Sequence, residues 1–358
     1  MKKSQARGYL LEDVLEKLIE INGYEIITED EDGVIERRYN GLNVVGRGGY
    51  HQVDSLGRLR YELPFIYQIR LFVEAKYNSK KIGIDTVRQG IGLLSDINSS
   101  YKTVNIENDT LKVPLHNYNY VIFSASGFTK EARLLALAHK IYLVDLNDED
   151  YKGLKEFIEV IVDELSCVCA KNNGDIPNEQ FEELRESIRN DLEGKESFFK
   201  IFFKLINEIE LNNLMVKRSI SIKLITVLYK FFKFKKYLQN KSIYFASDQY
   251  GQNHCILSHD DKMFRQYLLN DSHTKVRMIV EEMSKSLNNN YKKQEYYRTE
   301  LYLRNHEKNS SDPLLSFTIS KYGIVNPVEQ KSLVLSFIAY LDEKNPTLCT
   351  LETNNIID

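Results

Sequence analysis

An α/β fold is what this sequence predicts, and three observations carry the expectation. Strand-like runs alternate with helix-spaced runs between Tyr67 and Leu146; the chain then turns helical beyond Asp150; and its last part mixes both kinds of segment. The 358 residues exceed one ordinary domain, and we expect three units: 1–150, a helical linker or assembly region at 151–240, and an α+β domain at 241–358.

The elements follow from local pattern. Leu11, Val14, Leu15 and Leu18 recur at helical spacing over 6–21, and "NGY" at 22–24 supplies the stop. "YEIIT" and "GLNVV" read as short strands separated by the acidic turn "EDEDG". "GRGGY" at 46–50 lets the backbone turn tightly into "HQVDSLG". "GRLRYEL" and "YQIRLFVEAK" have strand composition, with Pro64 between them, and 84–98 returns to helical spacing. "YNYVIFSAS" is a buried strand, "GFTKEARLLALAHK" a helix opened by Thr129, and "IYLVDL" a further strand.

Beyond Asp150, helices are expected at 151–170, about 178–192 and 196–240, with "KNNGDIPNE" as a linker. In the last third "SIYFAS", "HCILS", "YYRTELYLR" and "LLSFTIS" read as strands, 274–288 and 328–343 as helices, and the last six residues as a frayed end.

Composition narrows the function classes. Apolar residues make up 42% and charged residues 28%, which is globular rather than disordered. The N-terminus lacks a signal-peptide pattern and "SISIKLITVLYKFF" is broken by Lys223 and Lys230, so neither export nor a membrane span is expected. Cys167, Cys169, Cys255 and Cys349 form no C-x-x-C pair, which fits a reducing cytoplasm without a zinc site. The net charge of −3 conceals a segment, Leu211 to Ser247, without a single acid and with eight basic residues.

The chemistry gathers in "LFVEAK". A strand's side chains alternate, so Glu74 and Lys76 share one face while Val73, Ala75 and Tyr77 share the other. The same arithmetic sets Gln52 and Asp54 together if "HQVDS" is one strand. Should the two strands be neighbours, two carboxylates converge, and a divalent cation such as Mg²⁺ (or Mn²⁺) would offset their repulsion. Such an ion lowers the pKa of a bound water, and a nearby lysine orients that water.

An Asp, a spacer of about twenty residues and Glu-x-Lys at a strand end resemble the PD-(D/E)xK nuclease superfamily. "GRGGYHQVD", "VEAK" and "YVIFSASGFTKEARLLALAHKIYLVD" look like its Mrr-type restriction endonuclease branch, over roughly residues 6–146. The resemblance implies a restriction-endonuclease-like mixed sheet flanked by helices. It also implies that Asp54 and Glu74 hold metal, that Lys76 positions the nucleophilic water, that Gln52 is a polar accessory and that Glu12 is the first-helix acid. Val53 stands where the motif's proline would be, and Glu-x-Lys replaces the Gln-x-Lys frequent in that branch.

The implied function is a metal-dependent DNA endonuclease in restriction or antiviral defence, with a homodimer or a defence-complex protein partner as the implied assembly. Two alternatives stay open: a catalytically idle scaffold or binding subunit, and a junction-resolving repair nuclease. Arg88 and Gln89, on the helix after "VEAK", face either phosphate or solvent. In "YKFFKFKKY", Lys230, Lys233, Lys235 and Lys236 either follow a nucleic-acid backbone or snorkel from a packed helix. His51 is read as a strand-edge residue, the glycines at 46, 48 and 49 as a backbone turn, and His254, His259, Asp260 and Asp261 as a polar loop rather than a second metal site.

Overall fold

A computed structural model of the chain describes residues 1–29, 33–39, 41–61, 64–106, 109–114, 116–147, 151–168, 176, 178–192, 195, 229, 231, 233, 243–270, 273–282, 296–303, 313–320, 332–341 and 346–355. The protein is mixed α/β. Helix α1 (Lys3–Ile21) is followed by strands β1 (Tyr24–Ile26), β2 (Ile35–Arg38), β3 (Gly41–Val45), β4 (Tyr50–Gln52), β5 (Ser55–Leu59) and β6 (Gln68–Lys76). Then come α2 (Ile84–Asn98), the β7–β8 hairpin (Lys102–Ile106, Asp109–Val113), β9 (His116–Ser124), α3 (Lys130–Ala138), β10 (Ile141–Asp145), α4 (Lys152–Val168) and α5 (Asn178–Leu192).

A five-stranded sheet runs β1-β5-β6-β9-β10, antiparallel from β1 to β6 and parallel from β6 to β10. Both faces are covered, as a parallel sheet requires. Leu71 and Val73 of β6, with Val121 and Phe123 of β9, point into a core shared with α1, α4 and α5. Phe72, Tyr120 and Ile122 point the other way, into a core with α2, α3 and the small β2-β3-β4 sheet. Thr129 caps α3 through a bond from Ala132 N at 3.3 Å.

The last part is a closed barrel ordered β11-β12-β15-β14-β13-β17-β16. Its strands are β11 (Ile243–Asp248), β12 (Asn253–Ser258), β13 (His273–Glu282), β14 (Tyr296–Leu303), β15 (Leu315–Ser320), β16 (Ser332–Tyr340) and β17 (Pro346–Asn355). Helix α6 (Asp261–Asn270) packs Phe264 and Leu268 against the barrel core. Closure leaves no sheet edge unpaired around the barrel.

The α1 stop signal also docks the barrel. The Asn22 side chain donates to Leu18 O at 2.7 Å and Ile243 O at 2.8 Å, and accepts from Phe245 N at 2.6 Å. Gly23 follows at φ +87°, and a Cβ there would meet Ile338 Cγ2 at 2.7 Å. Phe245 then packs at a tilt against Phe123, with ring centroids 5.9 Å apart, while Tyr151 donates to Cys255 O at 2.9 Å.

Several expectations need correction. The segments expected as helices at 274–288 and 328–343 contain strands β13 and β16 instead. "SLVLSFIAY" is so apolar that it satisfies helical and strand periods alike, and pairing with β17 resolves it to alternating burial. The chain end does not fray at Thr353, which is fully buried in β17 and accepts from Leu333 N at 2.9 Å. Helix α6, strand β2 and the β7–β8 hairpin carried no recognised signal, and strand β5 ends at Leu59 rather than running on toward residue 63.

Truncating Asn22 orphans a carbonyl and an amide at a buried junction. Asn22→Ala is expected to lower unfolding free energy by about 2 kcal/mol, measured by urea denaturation of the whole chain.

Candidate active site

The polypeptide bends between β4 and β5, and that bend makes the site. Val53 is buried, its N–H bonded to Leu42 O at 3.0 Å, so the chain leaves the small sheet just before Asp54. Ser55 pairs with Val73, and continuing that register by one residue sets Asp54 across from Glu74. Ala75 N donates to Asp54 Oδ2 at 2.7 Å, tying the aspartate to the end of β6.

Glu74 and Lys76 lie on the same face of β6, as the two-residue period requires, and form an ion pair between Glu74 Oε1 and Lys76 Nζ. Tyr120, two strand positions before Ile122, which pairs with Glu74, donates to Glu74 Oε2 at 3.4 Å. Helix α2 crosses closely above this tyrosine because residue 90 is glycine; a Cβ there would meet Tyr120 Cε1 at 2.5 Å. No motif in the sequence singled out Tyr120, although its place in "YNYVIFS", on the strand beside "VEAK", was available as a signal.

Burial and neighbouring charge shape the acids. Burial and the Glu74 charge raise Asp54 to about 6, against the Ala75 hydrogen bond and the Lys76 charge, which pull it down. Glu12, on α1, is pushed up to about 8 by burial, then by Asp54, with Arg185 opposing. Burial works against the Lys76 ammonium, yet Glu74, Asp54 and Glu12 together raise it above the usual lysine range. Burial, Glu74 and Asp54 likewise hold the Tyr120 phenol protonated well above its ordinary range.

Asp54 thus interacts with Glu74, Lys76 and Glu12, and Lys76 with all three acids, which links the four as one electrostatic cluster. Gln52 differs from expectation. It sits exposed on β4, paired with Asn43 in the small sheet, because the bend at 53–54 separates it from the strand that Asp54 leads into.

Among the described residues, no three His, Cys, Asp or Glu side chains gather tightly enough to cage a metal. Mg²⁺ needs no such cage, since it keeps several waters and takes one or two carboxylates. Asp54 and Glu74 are the pair that could hold it, and the unrelieved burial of carboxylate charge at Asp54 and Glu12 is what a cation would offset.

The other candidates resolve into local roles. Arg88 and Gln89 are exposed on α2, with Arg88 paired to Asp85 at 3.0 Å. Lys233 lies 4.9 Å over the Tyr229 ring while Phe231 is buried against Phe157; Lys230, Lys235 and Lys236 lie outside the described residues. His51 bonds Asp96 at 2.8 Å, and Asp96 also accepts from Gly48 N at 2.8 Å, so Asp96 anchors the glycine turn. His254 pairs with Asp248 at 2.9 Å, His259 with Ser316 at 2.9 Å, and Asp261 accepts from Tyr244 at 2.5 Å.

No family model and no curated protein matches the chain. A solved structure described as the crystal structure of protein of unknown function AF1548 is similar at 17% identity, over 64% of this chain and 97% of that one, with a TM-score of 0.30. A likeness of that strength defines neither fold nor chemistry. No helix of the described residues is long and apolar enough to cross a membrane.

The raised carboxyls set a pH dependence. Folded Asp54 and Glu12 keep protons that the unfolded chain releases, so their favourable contribution is complete below about pH 4. It is lost as pH rises through about 6 for Asp54 and about 8 for Glu12. Thermal melts of metal-free protein are expected to show a falling Tm across that window, flattened in Asp54→Asn and Glu12→Gln, with Mg²⁺ restoring Tm at the alkaline end.

Proposed function

We propose that the chain is a divalent-metal-dependent nuclease that hydrolyses DNA phosphodiesters, with a restriction-endonuclease-like N-terminal domain of the PD-(D/E)xK type. The observation that carries this reading is the bond from Ala75 N to Asp54 Oδ2, which joins the aspartate to the strand end bearing Glu74 and Lys76. Two buried-edge acids and an amine on adjoining strands form a costly arrangement for a scaffold, and a useful one for phosphoryl chemistry.

Asp54 and Glu74 would hold Mg²⁺ (or Mn²⁺), which supplies Lewis-acid polarisation of the phosphate and a more acidic water. Lys76 orients the attacking water through its ammonium hydrogens and offsets charge developing on the phosphate. Tyr120 steadies the second Glu74 oxygen, and Glu12 supplies a further acid at the margin of the cluster. Arg88 and Gln89, exposed on α2, are available to a nucleic-acid backbone, and Lys233 offers a second basic contact.

Cutting both strands of a duplex suits a homodimer, and the resemblance to Mrr-type enzymes points to restriction or antiviral defence in the cytoplasm. Recognition, sensing or assembly would then fall to the barrel and the helices before it. That step is an analogy from the family, separate from the chemistry.

The assay is cleavage of plasmid, linear, branched and single-stranded DNA with Mg²⁺ or Mn²⁺. Glu74→Ala and Lys76→Ala are each expected to lose about 10²-fold or more in rate while retaining the wild-type fold by circular dichroism. Equal cleavage rates in all three proteins would reject the assignment of Glu74 and Lys76, absence of cleavage by the wild type would favour an idle scaffold, and preference for branched substrate would favour a junction-resolving enzyme.

A further inference from the structure

Helix α1 carries a carboxylate that ought to be expensive. The Asp13 side chain is fully buried, and a charge taken out of water there needs well-directed partners. Helix α5 supplies them at helical spacing. Arg185 donates from Nε to Asp13 Oδ2 at 2.7 Å and from Nη2 to Oδ1 at 2.9 Å, while Arg189 donates from Nε to Oδ1 at 2.7 Å. The Arg185 guanidinium is held further by Glu182 at 3.2 Å and by the Tyr9 ring, 4.9 Å from Cζ.

That same guanidinium reaches the proposed site. Arg185 Nη2, one of the two nitrogens on Asp13, is 4.0 Å from Glu12 Oε2. A planar fork with several donors can serve two adjacent carboxylates at once, which a lysine's single ammonium does less well. We infer that Arg185 is a positioning residue for the proposed nuclease site: helix α5 delivers a guanidinium that ties buried Asp13 to Glu12 and keeps the Glu12 carboxylate in place beside the Asp54 charge.

The charges that act on Glu12 are Asp54 from the bend before β5, Lys76 from β6, Arg185 from α5, and Asp13 and Glu16 from α1 itself, with Arg185 in contact at 4.0 Å. Arg185 is the cation that opposes the burial and the three acids acting on Glu12. Glu16, which burial pushes up to about 7, faces Arg189 first and Arg185 after it. Helix α5 lies in the segment expected to be a linker or assembly region, and on this inference it is part of the catalytic unit. The catalytic consequence rests on the nuclease reading, but the link from Arg185 to Glu12 does not.

The test uses the whole chain with ¹³C-labelled glutamate, the Glu12 signal being identified by its loss in Glu12→Gln. In Arg185→Gln the Glu12 titration midpoint is expected to move upward by roughly one unit, as loss of an opposite charge at this range implies. The acidic limb of the kcat/KM profile for Mg²⁺-dependent DNA cleavage should move upward with it. Arg185→Lys keeps a charge for Asp13, protects folding, and is expected to move both readouts the same way by less. A Glu12 midpoint unmoved in whichever variant folds overturns the inference, even if Tm drops, because a merely structural arginine would change stability alone. Absence of cleavage by the wild type would instead overturn the nuclease reading, and the titration would still decide the role of Arg185.

Discussion

Strand β6 is buried on both faces, and that constraint organises the first half of the protein. Its odd-numbered residues, Leu71 and Val73, complete one core with α1 and α4, while Phe72 completes another with α2 and α3. Such a strand takes in charge only with partners: Arg70, 1% exposed, donates to the Tyr118 hydroxyl at 3.4 Å, and Glu74 and Lys76 pair with each other at the strand's end, next to the bend that brings in Asp54. Site and core are consequences of one pattern.

The electrostatics follow from the same enclosure. Asp54 and Glu12 are buried enough to be raised well above ordinary carboxylates, to about 6 and about 8, because Lys76 and Arg185 only partly balance the acids gathered there. The neighbouring Asp13 is partnered by two arginines, one of which, Arg185, also reaches Glu12. Adjacent residues of one helix thus have opposite fates: Asp13 is locked, while Glu12 keeps a surplus of negative neighbours. That contrast separates a structural acid from one suited to receiving a cation or a proton.

The barrel meets helix α1 through backbone as much as through side chains. Asn22 ends α1 and, with the same amide, reads the main chain of β11, so the helix terminus and the seating of the barrel strand against it are set together. Ile243 of β11 and Leu257 of β12 join the core of α1 and α4 while Tyr244 and Ile256 join the barrel core, and so both faces of this strand pair are occupied. A small polar side chain is well suited to such a junction, since it satisfies groups that an apolar one would strand.

Much of the chain from α1 to β10 was legible from residue order because its signals are local. The spacing of Leu11, Val14, Leu15 and Leu18, the Thr129 cap, and the alternation in "LFVEAK" each predict an element from neighbours a few positions away. Sequence by itself also determined that Glu74 and Lys76 share a face, since strand geometry leaves no choice. Tertiary structure alone decided what depends on distant partners. It bent the chain at Val53 and Asp54, parting Gln52 from the acids. It turned "SLVLSFIAY" into a barrel strand by pairing it with β17, brought Tyr120 to Glu74 from a neighbouring strand, and carried Arg185 to α1 across 172 residues of sequence. The physical reason is that short-range periodicity fixes which way a side chain points along its own element, while register and packing between elements fix what it meets.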